Sequence, residues 1–368
     1  THELQLESPA QPIPVKKQEK YNINRWALTG RDDMVINTQC YKIYDSLMKS
    51  SNENTDDWSE LCYLWSSDFR THITDKRWAE YQIRLNEFQN KLPIQTTYKT
   101  KGKSLIEDKQ KIIEDGKWLI IENPKLRIIL NKNKGLSIKE LVFKNLCDVP
   151  LLGTLDLGYY DDISLGADYY SGHAVIESPC EHKVTDLGGI SLDIIESDYD
   201  VALVTKQKWK QYSFSNKILI NGEKIVLQKS IYSSADGTAI IHPYNFTFNP
   251  KAWDRDSLYI ETHNGGTYPE RFFMKGKKIS HGDIYSSLIS ARHGFGCTEG
   301  LFIIGDKDKS ISFKCDMSVS ALILSIIYKE MDDIYFFRLQ YSAQEMDETY
   351  IKNNNSNHTY KIIIWNKK

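Results

Sequence analysis

The 368-residue sequence is poor in cysteine and carries no excess of charge of either sign. Its six cysteines lie far apart and include no Cys-x-x-Cys pair, which argues against zinc knuckles and a small disulfide scaffold and favours a reducing compartment. Its 47 basic and 49 acidic residues give a net charge of −2, so neither nucleic acid nor a membrane is expected as a partner. We expect a cytoplasmic protein, with the periplasm or secretion as the alternative.

Long apolar runs and local catalytic motifs are also missing. The longest apolar run, residues 321–328, is too short to span a bilayer. The sequence contains no His-Glu-x-x-His or Gly-x-Ser-x-Gly motif and no phosphate-binding loop. We therefore predict no metal and no cofactor.

The N-terminal stretch lacks a regular apolar period. Residues 1–24 hold three prolines and three lysines, which is typical of an extended connector. No signal peptide is visible, and the chain opens on Thr1 rather than Met. We expect a processed product or part of a longer protein.

Aromatic residues are abundant, with 22 Tyr, 13 Phe and 8 Trp. Protein cores use large aromatic side chains. Sugar-binding clefts use them as well, because the rings stack on the apolar faces of pyranoses. The composition fits both interpretations.

Between Asp32 and Leu92, apolar residues recur at helical spacing in three stretches. The predicted stripes are Ile36, Cys40, Ile43 and Leu47; Trp58, Leu61, Cys62, Trp65 and Phe69; and Trp78, Tyr81, Leu85, Phe88 and Leu92. The first helix can be capped by Thr29, Asp32 or Asp33, and the third is expected to begin at Thr74 or Asp75. Arg31 and Asp32 suggest an ion pair at the first helix start. Three helices with short connections predict a small bundle with its linker over residues 25–114.

Asp68 and His72 follow the second stripe at positions that lie on or beside it if the helix continues that far. Burial of a carboxylate or an imidazole is costly without a partner. Either the two residues pair with each other, or they line a functional cleft. The spacing alone slightly favours the pair.

From Trp118 onward the pattern changes to short apolar strands separated by Asn, Lys and Gly. Asn221-Gly222 predicts a two-residue hairpin turn between two such strands. Because no long helical pattern interrupts the strands, we predict a large antiparallel β-sandwich over residues 115–368 rather than a parallel α/β sheet. The expected fold class is α+β, with a three-helix bundle followed by the sandwich.

The segment from Gly158 to His173 is rich in acids and tyrosines, and long ordered loops are often functional. Five of its residues are candidates for substrate binding: Tyr160, Asp162, Asp168, Tyr170 and His173. Carboxylates can bind paired sugar hydroxyls, and tyrosines can stack on a sugar ring. The alternatives are a packed loop whose acids bind backbone amides, and a calcium site, although the spacing does not match an EF-hand.

A second polar cluster occupies residues 261–270. Gly265-Gly266 permits a sharp turn or the close approach of a ligand. His263 and Glu270 are therefore candidate substrate-binding residues. A tight turn with His263 half buried explains the pattern equally well.

Several of these segments resemble glycoside hydrolase family 57. Trp65-Ser66-Ser67-Asp68-Phe69 is similar to the Ser-Asp-aromatic motif in the helical region that follows the catalytic barrel of that family. Family 38 α-mannosidases share the architecture of barrel, helical bundle and β-sandwich. The segments at 25–33 and 262–266 resemble the same proteins, and the strand order resembles a β-supersandwich of the galactose mutarotase-like type.

This resemblance implies that the chain is the helical and supersandwich portion of a glycoside hydrolase acting on an oligosaccharide or polysaccharide. In family 57 the catalytic carboxylates lie on the barrel, which has no counterpart in this sequence, so no catalytic residue is assigned. The N-terminal barrel would be a partner domain outside this chain, and Asp68 and His72 would help to complete the cleft. Family 38 enzymes bind zinc, for which His72 is the candidate in the helical region. The rival hypotheses are a non-catalytic carbohydrate-binding or scaffold protein and, with less support, a polysaccharide lyase.

Overall fold

The computed structural model shows a helical region followed by three β-sheets. The structure describes residues 27–50, 54–66, 69, 73–92, 110–155, 169–178, 182–196, 200–233, 240–263, 268–277, 294–295, 297–331, 334–346 and 357–366. Helices α1, α2 and α3 span Asp33–Lys49, Thr55–Leu64 and Asp75–Lys91. No helix within these ranges is long and apolar enough to cross a membrane.

The three helices share one apolar core. The predicted positions of α1 and the first four of α3 are buried: Ile36, Cys40, Ile43, Leu47, Trp78, Tyr81, Leu85 and Phe88. In α2 the prediction is wrong for Cys62, which is exposed, and it omitted Leu64, which is buried. The buried side of this short helix runs through Leu61 and Leu64, which are three residues apart and therefore on one face.

The helix starts match the predicted caps in part. Helix α3 starts at Asp75 as predicted, and Thr74 caps it because its side chain accepts a hydrogen bond from the Arg77 N–H. The first helix is different: Asp32 occupies the N-cap position with φ 53° and makes no side-chain cap. The ion pair that the structure shows for Arg31 is with Asp75, since Arg31 Nη1 donates to Asp75 Oδ1 at 2.8 Å and thereby joins the starts of two helices. The charge of Arg31 still acts on Asp32, where it opposes the rise in pKa that burial causes.

Helix α2 ends at Leu64, four residues before Asp68. Trp65 is its C-cap, and the Trp65 N–H donates the last helical hydrogen bond to the Leu61 carbonyl at 2.9 Å. The assumption that the helix continues to Asp68 and His72 is therefore wrong. Both residues lie outside the described residues.

The strands form sheets of five, six and nine members, and every described strand pair is antiparallel, which confirms the predicted arrangement. The five-stranded sheet comprises β1 Lys111–Asp115, β2 Trp118–Glu122, β3 Leu126–Asn131, β4 Ser137–Phe143 and β5 Leu152–Gly153 in that order. The six-stranded sheet has the order β15 Gly294–Phe295, β18 Ile323–Met331, β19 Ile334–Ser342, β12 Ile240–Thr247, β6 His173–Glu177 and β7 Val184–Thr185. The nine-stranded sheet has the order β14 Glu270–Phe273, β13 Tyr259–Thr262, β16 Leu301–Gly305, β17 Ser310–Cys315, β20 Asn357–Asn366, β11 Lys224–Ser233, β10 Tyr212–Asn221, β9 Asp200–Trp209 and β8 Ser191–Glu196.

The six-stranded and nine-stranded sheets pack face to face over a single apolar core. Phe246 of β12 meets Phe313 of β17 with ring centroids 5.2 Å apart, so aromatic contacts cross between the two layers. The five-stranded sheet and Met34 of α1 join the same core. The sandwich class expected from the strand pattern is thus present.

The hairpin predicted at Asn221-Gly222 is present with its turn moved by one residue. Asn221 still pairs with Lys224, so Gly222 and Glu223 are the two turn residues. Gly222 has φ 56°, a conformation that glycine adopts at low cost.

Candidate functional site

The six-stranded sheet has two chemically different faces. Side chains alternate along a strand, and in β19 the residues Tyr335, Phe337, Leu339 and Tyr341 enter the sandwich core. The alternate residues of β19 and of its neighbours point to the opposite side. We call this side the polar face and define it by His173, Asn245, Thr247, Ser325, Arg338, Gln340 and Ser342.

Four of these residues form a row across adjacent strands. Asn245 of β12 pairs with His173 of β6 on one side and with Gln340 of β19 on the other. Gln340 in turn pairs with Ser325 of β18. Neighbouring strands lie about 4.8 Å apart, so this polar row is about 14 Å long.

Hydrogen bonds link the middle of the polar row and leave its ends open. Gln340 Nε2 donates to Asn245 Oδ1 at 3.0 Å, and Asn245 Nδ2 donates to the His173 carbonyl at 3.3 Å. Both ring nitrogens of His173 and the Ser325 Oγ are buried without a hydrogen-bond partner in the described part of the chain. A buried polar atom without a partner costs about 1–3 kcal/mol, so the ends of the row are suited to bind a polar ligand.

His173 is an uncharged group at neutral pH. Its side chain is buried, and burial holds the pKa of the imidazole well below its usual range. The positive charges of Arg338 and Lys229 lower the pKa further. A neutral imidazole has one donor nitrogen and one acceptor nitrogen, which is what a hydroxyl group requires of its partner.

A buried carboxylate lies next to the polar row. Glu345 Oε1 accepts a hydrogen bond of 2.7 Å from Ser342 Oγ and lies 2.7 Å from His242 Nε2. Both contacts end on one oxygen and fix the orientation of the carboxylate. Within the described ranges no group of three His, Cys, Asp or Glu side chains is placed to hold a metal ion.

Two of the predicted site residues are neighbours at the start of β6. The rings of Tyr170 and His173 lie 6.3 Å apart in an edge-to-face arrangement. The other candidates of that segment, Tyr160, Asp162 and Asp168, lie outside the described residues.

His263 and Glu270 belong to the nine-stranded sheet rather than to the sheet of His173. His263 follows β13, and its carbonyl accepts hydrogen bonds from Thr298 N at 3.0 Å and from Thr298 Oγ1 at 3.2 Å. Glu270 begins β14 and pairs with Thr262. Whether His263 and Glu270 belong only to a tight turn or line a cleft, they therefore lie on an element separate from the polar row.

Sequence reasoning missed three of the four residues of the polar row, Asn245, Gln340 and Ser325, and it also missed Arg338 on the same polar face. Their strands are mostly apolar in sequence, whereas the acid-rich loops carry a more evident polar signal. One signal was present: Arg338, Gln340 and Ser342 alternate with core residues in β19. Polar residues at a period of two in a strand buried on both faces indicate a polar interior surface.

No protein-family model matches the chain, and no curated protein matches it. Solved structures with a similar chain trace include a galactose mutarotase-like protein from Lactobacillus casei, with TM-score 0.44 and 10% identity over 68% of this chain and 99% of that one. A 4-alpha-glucanotransferase from Thermococcus litoralis has TM-score 0.38 and 10% identity over 91% of this chain and 50% of that one. A GH36 alpha-galactosidase from Geobacillus stearothermophilus has TM-score 0.41 and 8% identity over 70% and 41%. All three names are carbohydrate-related, and similarity at this level does not assign an activity.

Proposed function

We propose that this chain binds a carbohydrate on the polar face of its six-stranded sheet. The observation that carries the proposal is the polar row, in which imidazole, amide and hydroxyl groups from four strands lie side by side. A sugar hydroxyl both donates and accepts hydrogen bonds. It is therefore a better match for neutral groups that also donate and accept than for a cluster of like charges. The unpartnered atoms of His173 and Ser325 lie at opposite ends of the row and then bind hydroxyls of different sugar units of one ligand.

The surroundings of the polar row fit the same ligand. Arg338 lies two residues from Gln340 on the same face and places a guanidinium group beside the row. Tyr170 lies edge-on to His173 and offers a ring for contact with the apolar face of a pyranose. Because the row is buried and spans four strands, the best ligand is the end of a sugar chain.

The described residues support binding more strongly than bond cleavage. Glycoside hydrolysis needs a pair of carboxylic acids that flank the scissile bond. Glu345, the carboxylate beside the polar row, is held by His242 and Ser342. We propose that the chain acts as the helical and sandwich portion of a glycoside hydrolase related to families 57 and 38, with the catalytic carboxylates on a barrel domain. The second candidate is a non-catalytic carbohydrate-binding protein.

A glycan-array screen of the purified chain, followed by incubation of each bound glycan with the chain, tests the proposal. We expect binding without release of sugar or of new reducing ends. Turnover by the chain alone would contradict the assignment of catalysis to a barrel. Absence of binding across the array would overturn the proposed function.

A further inference from the structure

A buried ion pair lies directly behind His173, on the core side of the sheet. Lys229 of β11 and Asp186, which follows β7, are each 2% exposed and form a salt bridge. The Lys229 ammonium also lies 4.9 Å from the Tyr244 ring centroid. A buried pair of this kind is often no more stabilising than apolar residues of the same volume, so stability alone explains it poorly.

The pair binds the backbone on both sides of His173. Lys229 Nζ donates to the Gly172 carbonyl at 3.2 Å, and the Ala174 N–H donates to Asp186 Oδ1 at 2.7 Å. These are the residues immediately before and after His173. Because side chains alternate across a sheet, the imidazole points to the polar face while the pair acts from the core side.

The sheet itself supports this position weakly. The register between β6 and β12 shifts between His242 and Asn245, so the ladder of backbone hydrogen bonds is interrupted beside His173. Gly172 has φ 81°, outside the extended conformation of a strand. The Ala174 N–H bonds to a side chain, Asp186, instead of a neighbouring strand.

We propose that the Asp186–Lys229 ion pair is the positioning device of His173: it clamps the two flanking peptide groups and so fixes where the imidazole presents its nitrogens. The Lys229 charge also contributes to keeping the imidazole neutral, in addition to burial and Arg338. The ligand in this inference is the sugar of the proposed function. The placement of the imidazole by the ion pair does not depend on that function.

The test compares the wild-type chain with a double variant, Lys229→Met with Asp186→Asn. The double change removes both charges together, which avoids a stranded buried charge and the unfolding that it would cause. The matched control is Lys309→Met with Asp306→Asn, because Lys309 forms a largely buried ion pair with Asp306 at 2.8 Å in the turn between β16 and β17. His173 is followed by nitrogen-15 NMR as a function of pH, with His173→Gln used to assign its signals. Binding of galactose and of maltotriose is measured by calorimetry on the same samples.

We expect the double variant to fold, to titrate His173 at a higher pH than the wild type, and to bind the sugar probe at least about tenfold more weakly. The control, Lys309→Met with Asp306→Asn, should leave both quantities unchanged. An unchanged His173 titration in the folded double variant would overturn the inference, even if binding were weaker. A shifted titration in a chain that binds neither sugar would uphold the inference and count against the proposed function instead.

Discussion

The imidazole of His173 is the residue on which the proposed site depends most directly. It is buried, and its ring nitrogens have no hydrogen-bond partner in the described part of the chain. An unpartnered imidazole is tolerated more readily when it stays neutral, and burial together with two nearby positive charges keeps its pKa low. The neutral state has a consequence for stability that can be measured without any ligand.

We predict that His173 makes the folded chain less stable in acid. Its folded pKa is below the unfolded value, so below about pH 6.5 the unfolded state binds a proton that the folded state does not, and stability falls as the pH falls. The loss between about pH 7.5 and about pH 5.5 is at most about 1.4 kcal/mol, which is the value for a folded imidazole that takes up no proton in that range. The measurement is urea unfolding of the wild type and of His173→Gln at both pH values. The variant should lack this part of the loss, and parallel pH profiles for the two proteins would contradict the prediction.

At the scale of elements, the helices were the easiest to predict from sequence. The stripes of α1 and α3 follow a clear helical period, and their residues are buried as expected. The end of α2 was missed because Trp65 and Ser66 carry no glycine or proline signal. The polar row was missed for another reason: its hydrogen bonds join residues 72 and 95 positions apart, and strand register over such separations depends on the assembled sheet.

Helix α3 offers a matched test of its buried and exposed sides. Leu85 is fully buried, whereas Ile83 on the same helix is 59% exposed. Leu85→Ala should lower the free energy of unfolding by about 2–5 kcal/mol because it leaves a cavity in the helical core. Ile83→Ala should change it by less than about 0.5 kcal/mol. Chemical denaturation of both variants checks this, and equal losses would show that the helix packs differently.

Two glycine turns offer a second matched test at this scale. Gly135 and Gly116 both have positive φ, 63° and 55°. A Cβ at Gly135 would lie 1.8 Å from the Asp186 carbonyl oxygen, whereas a Cβ at Gly116 would meet no atom within 4 Å. Gly116→Ala should cost only the backbone strain of about 1–2 kcal/mol, and Gly135→Ala about 1–3 kcal/mol more. Equal melting temperatures of the two variants would contradict the packing of Gly135 against Asp186.

At the scale of the whole molecule, the helical region and the sandwich are joined through α1. Met34 enters the sandwich core, and Thr38 Oγ1 accepts a hydrogen bond from the Ala321 N–H at 2.9 Å. The Glu345 N–H donates to the Leu28 carbonyl at 3.0 Å and adds a second link. The helices and the β-sheets should therefore unfold together.

Thr38→Val tests this coupling. The valine cannot accept the hydrogen bond, so the buried Ala321 N–H loses its partner at a cost of about 1–3 kcal/mol. The helical circular dichroism signal and the NMR signals of the sheet amides should report the same, lowered unfolding midpoint. A midpoint that falls only in the helical signal would show that the two regions unfold independently.

The central claim is that the polar row binds a sugar through His173. The most direct measurement is a calorimetric titration of the best glycan from the array into the wild-type chain, His173→Gln and His182→Gln, where His182 is an exposed histidine away from the row. We predict that His173→Gln weakens binding at least about tenfold, which corresponds to about 1.4 kcal/mol, while His182→Gln binds like the wild type. Equal affinity of all three proteins for the glycan would contradict the claim.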